Sequence, residues 1–414
     1  MRGRLVPIVL VTLASPLLWP AAAQAAVVRC HGERATIVGT DKSDVIRGTT
    51  GDDVIAGLQG NDIIHGRGGN DRICGNAGAD ELFGGAGADR LFGGRDLYSE
   101  NGGDSTRTGD VLSGGRGNDR LVPGRDTTVA ETITHDSLSW RTSPHAMTID
   151  MGAGIATGDG QDSFNAVEAF VVGSKYADVI DGSERGDIIK GGPGSDVIRG
   201  HEGNDRIVSD PGSKAGDDKV WGGRGNDHLT SGGGQDVVRG GSGGDRIDDL
   251  ADSADLLYGG AGGDFLIGEL SDSGKPQGYF GGSGIDRLEL HTGLLNPTAA
   301  KSTGTWDMGT GRLVFHRGGS LVITVGGIQS AYLSTPGTSW TVRGTEAADF
   351  LGSDGTSGIT FRAFAGNDIF GGSDFDDVFN GGSGTDHSLG MGLGDDTCRG
   401  VEVFDSPDCE HVLP

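Results

Sequence analysis

Apolar residues in this chain recur singly at a fixed interval. Ile46, Ile55, Ile64, Ile73, Leu82 and Leu91 stand nine residues apart. Two places before each is an acid: Asp44, Asp53, Asp62, Asp71, Asp80 and Asp89. Seven places before each is a glycine: Gly39, Gly48, Gly57, Gly66, Gly75 and Gly84. One apolar position in nine cannot line a helix face. It suits a short strand over places seven to nine, with the eighth side chain inward, and a glycine-permitted turn over places one to six. A sustained period of this kind marks a stacked repeat, a solenoid.

The register divides the chain. Block 39–122 holds the six nonads above, lapses over 93–108 and returns at Asp110 and Asp119. Block 173–289 carries Asp178, Asp187, Asp196 and Asp205. After a four-residue insertion it continues with Asp218, Asp227, Asp236 and Asp245, and after one extra residue with Asp255 and Asp264; Asp286 closes it. Block 344–398 carries Asp349, Asp368, Asp377, Asp386 and Asp395. Segments 123–172 and 290–343 are poorer in glycine and contain alternating strings, AMTIDMG and LVITVGG, that predict β spacers continuing the stack. Residues 26–38 are expected to form an N-terminal cap and 399–414 a C-terminal tail. The expected fold is all-β, a right-handed parallel β-roll or β-helix in three repeat blocks.

Residues 1–25 read as a secretory signal peptide: Arg2 and Arg4, an apolar run from Leu5 to Trp19, then AAAQAA with cleavage after Ala25. The run is interrupted by Pro7 and Pro16 and falls short of the ~20 residues that span a bilayer. A secreted chain permits disulfides. Cys30, Cys74, Cys398 and Cys409 allow three pairings. End-wise pairing is favoured because an elongated fold keeps the ends apart. No C-x-x-C spacing supports a zinc site.

Composition narrows the function. Of 414 residues 81 are Gly, and 59 acids against 33 bases leave a net charge of −26. Only 12 Pro and no Gly-X-Y period exclude collagen, and a net acid without a basic block argues against nucleic acid. One Ile or Leu per nonad falls short of the entropy lost in ordering nine residues, and carboxylates stacked in rows repel. A hard divalent cation between turns answers both problems. Calcium takes about six to eight oxygen ligands, backbone carbonyls included, so the nonad reads as a calcium site coupled to folding.

GGAGADRLF, GGRGNDRLV, GGPGSDVIR and GGSGIDRLE resemble the GGxGxDxUx nonad of the hemolysin-type calcium-binding (RTX) repeat family of secreted bacterial proteins. The resemblance implies two nonads per turn and ions between turns, so that Asp44 shares a layer with Asp62, and Asp53 with Asp71. The implied calcium ligands are Asp44, Asp53, Asp62, Asp71, Asp80, Asp89, Asp110, Asp119, Asp178, Asp187, Asp196, Asp205, Asp227, Asp236, Asp245, Asp264, Asp286, Asp368, Asp377 and Asp386. The nonads around Asp218 (SKAGDDKVW) and Asp255 (LADSADLLY) lack both leading glycines and are doubtful binders; GTDKSDVIR has Lys42 in place of Gly, which makes its site incomplete.

No HExxH motif or phosphate loop is present. Ser242 satisfies G-x-S-x-G only by lying in a glycine-rich repeat, and His65, His228 and His387 take repeat positions where exposed polar residues are expected. An ice-binding solenoid needs regular outward Thr rows, but place nine reads Arg47, Ala56, His65, Cys74, Phe83, Phe92. Two classes remain: a secreted calcium-binding protein with a structural or surface-interaction role toward a cell surface or extracellular polymer, and an extracellular hydrolase or lyase acting on a polymer from the solenoid face.

Overall fold

The structure, a computed structural model, describes residues 27–95, 109–125, 136–165, 170–210, 216–249, 255–269, 277–291, 302–308, 311–316, 320–326, 328–334, 338–354, 358–391, 393–401, 403–404, 409 and 411–413. Residues 1–25, expected to form a signal peptide, lie outside these residues. Among the described residues there is no helix, and the chain is a parallel β-solenoid. Successive nonads feed two sheets alternately. In the first sheet Val54–Gln59, Arg72–Ala77 and Arg90–Arg95 lie side by side, with Ile55 opposite Ile73 and Ile73 opposite Leu91. In the second sheet Val45–Arg47, Ile63–Gly68 and Glu81–Ala86 align Ile46, Ile64 and Leu82. Partners are eighteen residues apart, so two nonads make one turn. The eighth side chains meet between the sheets and are fully buried from Ile55 to Leu91.

Many strands are longer than expected. Val54–Gln59 and its neighbours run from place seven through place three of the next nonad, and the turn shrinks to places four to six. Place two carries positive φ inside these strands, 90° at Leu58 and 114° at Gly85, which bends the chain while pairing continues. Place one has no room for a side chain. A Cβ built on Gly48 would stand 2.6 Å from the Gly66 carbonyl of the next turn and 2.8 Å from Asp53 Oδ2, and the fit is closer at Gly57 and Gly75.

The two spacers use one device. After Arg120–Arg125 the first sheet continues with Gln161–Phe164 in parallel, then Ile155–Thr157 and Thr148–Asp150 antiparallel, then Val179–Asp181 in parallel again. After Gly278–Ser283 it continues with Ser320–Gly326, Arg312–His316, Ser302–Asp307 and Thr338–Arg343 in the same sense. Each spacer is thus a three-stranded meander inserted backwards, and parallel stacking resumes beyond it. The two begin on a shared pattern, Thr148-Ile-Asp-Met-Gly-Ala-Gly154 and Thr305-Trp-Asp-Met-Gly-Thr-Gly311, an internal repeat that the nonad register hides.

Cys30 pairs with Cys74 and Cys398 with Cys409, the end-wise arrangement. The first bridge holds a hairpin, Arg29–Cys30 against Glu33–Arg34, on the outer face of the first sheet. There His31 stacks on Phe92 at 3.7 Å and Glu33 pairs with Arg72 at 2.7 Å.

Candidate metal centre

Each nonad Asp stands just before its strand, so the two sheets generate two rows of carboxylates. One row runs Asp44, Asp62, Asp80, Asp110 and Asp136; the other runs Asp53, Asp71, Asp89, Asp119 and Asp162. In both, Oδ1 accepts the backbone N–H of the Asp one turn earlier, at 2.8 Å for Asp44 to Asp62 and for Asp53 to Asp71. The rows restart beyond the first spacer. Asp187, Asp205, Asp227, Asp245, Asp264 and Asp286 form one series, and Asp178, Asp196, Asp218, Asp236 and Asp255 the other. In the last block Asp349, Asp368 and Asp386 align, as do Asp377 and Asp396.

All twenty Asp residues named as implied calcium ligands therefore sit in the rows, and several others join them. Asp218 and Asp255, doubted for their missing glycines, are in line. Asp136 and Asp162 lie in the first spacer at spacings of 26 and 43, which no nonad search reaches; the signal that marks them is the Asp-x-apolar triplet, Asp136-Ser-Leu138 and Asp162-Ser-Phe164. Gln329 takes a row position as an amide, its Oε1 accepting the Asp286 N–H at 2.8 Å. One assignment is corrected. Asp396, not Asp395, enters the row, because one extra residue in the preceding turn shifts the register. Asp395 is outside, against His411 at 2.8 Å.

The second oxygen separates two kinds of turn. In nonads where place two has positive φ, Oδ2 is buried and meets no hydrogen-bond donor; Asp62, Asp71, Asp80, Asp89, Asp119, Asp196, Asp205, Asp227, Asp245, Asp264 and Asp286 are of this kind, and Asp236 and Asp368 have the same open Oδ2 behind Gly232 and Phe364, whose φ is not positive. In six other nonads place two is Ser or Thr. Its backbone N–H reaches Oδ2 at 2.5–2.6 Å, and its hydroxyl bonds the same carboxylate: Thr40 to Asp44, Thr49 to Asp53, Ser174 to Asp178, Ser183 to Asp187, Thr345 to Asp349 and Ser373 to Asp377.

Burial makes the open carboxylates hard to ionise. It lifts Asp80, Asp196 and Asp236 to about 8 and Asp119, Asp205 and Asp245 to about 7; the donated N–H opposes the rise and neighbouring carboxylates in the row add to it. A buried anionic oxygen without a donor is a costly arrangement unless a cation meets it. Among the described residues no three His, Cys, Asp or Glu side chains converge on one point. An ion at these rows would complete its shell with backbone carbonyls and water, oxygen ligands that calcium accepts and zinc does not favour. The open carboxylates fit calcium. They would supply the charge of each site, and the ion would neutralise the row and tie adjacent turns together.

The structure is a glycine-rich parallel solenoid whose two rows of buried carboxylates, many of them donor-less, offer charge to cations along both edges. The RTX calcium-binding nonapeptide repeat matches residues 38–73, 67–96, 106–127, 181–213, 214–247 and 251–272. The chain carries RTX calcium-binding nonapeptide repeats along much of its length, and repeats of this type bind calcium. No curated protein matches it. Among solved structures it is similar to a hyperactive, Ca2+-dependent, beta-helical antifreeze protein from an Antarctic bacterium, at 15% identity over 87% of this chain and 81% of that chain, with a TM-score of 0.26.

Proposed function

We propose that this calcium-binding β-roll is secreted behind the leader 1–25, orders its repeats when calcium binds, and serves a structural or surface-interaction role toward a cell surface or extracellular polymer. The observation that carries the reading is the run of buried Oδ2 atoms without donors along both edges. Without a cation those rows oppose folding; with one they fasten turn to turn. Two disulfides agree with an oxidising compartment. The surface role is supported by a partly exposed row on the first sheet. Arg199, Trp221, Arg239, Tyr258 and Phe280 stack one per turn, with Arg239 4.8 Å from the Tyr258 ring and Tyr258 4.7 Å from Phe280. Such a row offers rings and cations at a regular step to a polymer.

The test uses the mature chain from Ala26. Circular dichroism and small-angle scattering in chelator should report an expanded chain, and millimolar calcium a compact β protein. Identical spectra and radii in both would reject folding on calcium. Sedimentation with isolated cell walls, with and without calcium, tests the surface role; absence of co-sedimentation in calcium would reject it.

A further inference from the structure

The six turns closed by Ser or Thr are not scattered. Asp44 and Asp53 are the first carboxylates of the two rows in the first block. Asp178 and Asp187 form the first full turn of the second block, and the donor to Asp178 from the preceding turn is Met147, which brings no carboxylate. Asp349 follows Gln329, an amide, and Asp377 follows a turn whose donor is Ile359. In all six, place two is Ser or Thr, and none of the positive-φ residues falls there. The thirteen open carboxylates named above all lie further along the rows. Two row ends are closed as well: Asp162, in the row that starts at Asp53, receives the Trp140 indole N–H on Oδ2 at 2.8 Å, and Asp255, in the row that starts at Asp178, receives the Ser231 hydroxyl on Oδ2 at 3.2 Å.

The placement has a physical reason. An ion between turns needs ligands from both turns. At the head of a row the preceding turn has no Asp to share, so a donor-less Oδ2 there would be an uncompensated buried charge. A Ser or Thr at place two supplies two donors to the same carboxylate. In all six its own N–H also points at Oδ2. The turn then closes with protein groups alone, as in a local side-chain to backbone motif. In a solenoid each ordered turn templates the next, so a turn that closes without metal is a natural edge from which stacking proceeds.

We infer that the six Gly-[Ser/Thr]-x-x-x-Asp nonads are metal-free starter turns, in which the place-two hydroxyl and N–H stand in for calcium at the head of each row, and that calcium loading begins with the next, open turn. The inference rests on the calcium reading above and removes Asp44, Asp53, Asp178, Asp187 and Asp377 from the set of ligands implied by the repeat pattern.

Calcium bound per folded chain is the deciding quantity, measured by metal analysis of the monomeric fraction after gel filtration in calcium and by calorimetric titration. Asp53→Asn and Asp187→Asn should keep the wild-type count and a titration midpoint within about twofold, while losing amide protection at their own turns. Asp71→Asn and Asp205→Asn should each lower the count. Thr49→Val, which removes only the hydroxyl, is the second variant should Asp53→Asn not fold, and it too should keep the count. A loss of calcium in Asp53→Asn or Thr49→Val equal to that in Asp71→Asn, with the wild type folding on calcium as proposed, overturns this inference alone. A wild type that binds no calcium overturns it together with the reading on which it rests.

Discussion

The first repeat block and the region from Trp306 to Phe379 continue the same two sheets but are held together differently. In the first block each nonad buries one Ile or Leu, and the edges carry open carboxylates such as Asp62, Asp71 and Asp80. Between Trp306 and Phe379 the interior holds Trp306, Leu313, Trp340, Val342, Phe361, Phe370 and Phe379, all essentially buried, with Phe361, Phe370 and Phe379 in mutual ring contact at 5.2–5.8 Å. In that stretch Gln329 and Ile359 occupy row positions without charge, Asp349 and Asp377 are closed by Thr345 and Ser373, and Asp368 alone among its named row carboxylates is open. If the repeat blocks order on calcium as proposed, their thin cores depend on the ion more than this thick apolar core does.

The comparison breaks most sharply on core truncations. Phe379→Ala should cost about 3–5 kcal/mol whether or not calcium is present. Ile73→Ala should cost about 2–5 kcal/mol in calcium and almost nothing in chelator, where its turn is already open. Melting of both variants in the two buffers checks this; equal calcium dependence of the two costs would erase the distinction between the regions.

Glycine substitution sharpens it. Gly75→Ala drives a methyl group into Asp80 Oδ2 and the Gly93 carbonyl, at a cost of about 3 kcal/mol. A Cβ on Gly371, in the aromatic region, meets nothing nearer than 3.9 Å, so Gly371→Ala should fall within about 0.5 kcal/mol of wild type by chemical denaturation in calcium.

Acidity should act in opposite senses with and without the ion. The folded-state values of Asp80, Asp196 and Asp236 are raised from 3.8 to about 8. A raised carboxyl favours the fold while protonated, fully below pH ~4, and that contribution disappears as pH climbs toward 8. In chelator the repeat blocks should consequently gain order from pH 8 to pH 5. In limiting calcium the same acidification should release the ion and reduce order. Scattering radii across this range measure both; a chelated chain that expands on acidification would contradict the burial argument.

Smaller effects grade the rows. Asp62→Asn, mid-row and open, should weaken apparent stability in calcium by about 1–3 kcal/mol, more than Asp44→Asn at the closed head. Glu33→Gln loses only a surface pair with Arg72, about 0–1 kcal/mol. Thermal melts of the three should keep that order.

The nonad register was legible because Gly, Asp and the apolar residue each meet a separate physical demand: no room for a Cβ, a row carboxylate and an inward side chain. That legibility failed where the chain changed length between row positions. Asp136 and Asp162 are displaced by the first spacer, and Asp396 by one inserted residue. The closed turns were written in the sequence as Ser or Thr at place two. They carried no meaning until the structure aimed the N–H of Thr49 or Ser183 at its Asp, because the same letters elsewhere are ordinary surface residues. Alternation in the spacers predicted strands. Their reversed meander depends on partners far away in sequence, which no local pattern encodes.

Region-resolved amide hydrogen exchange of the mature chain, in chelator and then in saturating calcium, tests the central claim most directly. The account predicts that amides of the described strands within 57–122 and 191–286 are unprotected in chelator and gain several orders of magnitude of protection with calcium, while those of the described strands within 338–380 are protected in both. Equal protection of the repeat blocks in the two conditions, or loss of residues 338–380 in chelator together with the rest, would contradict it.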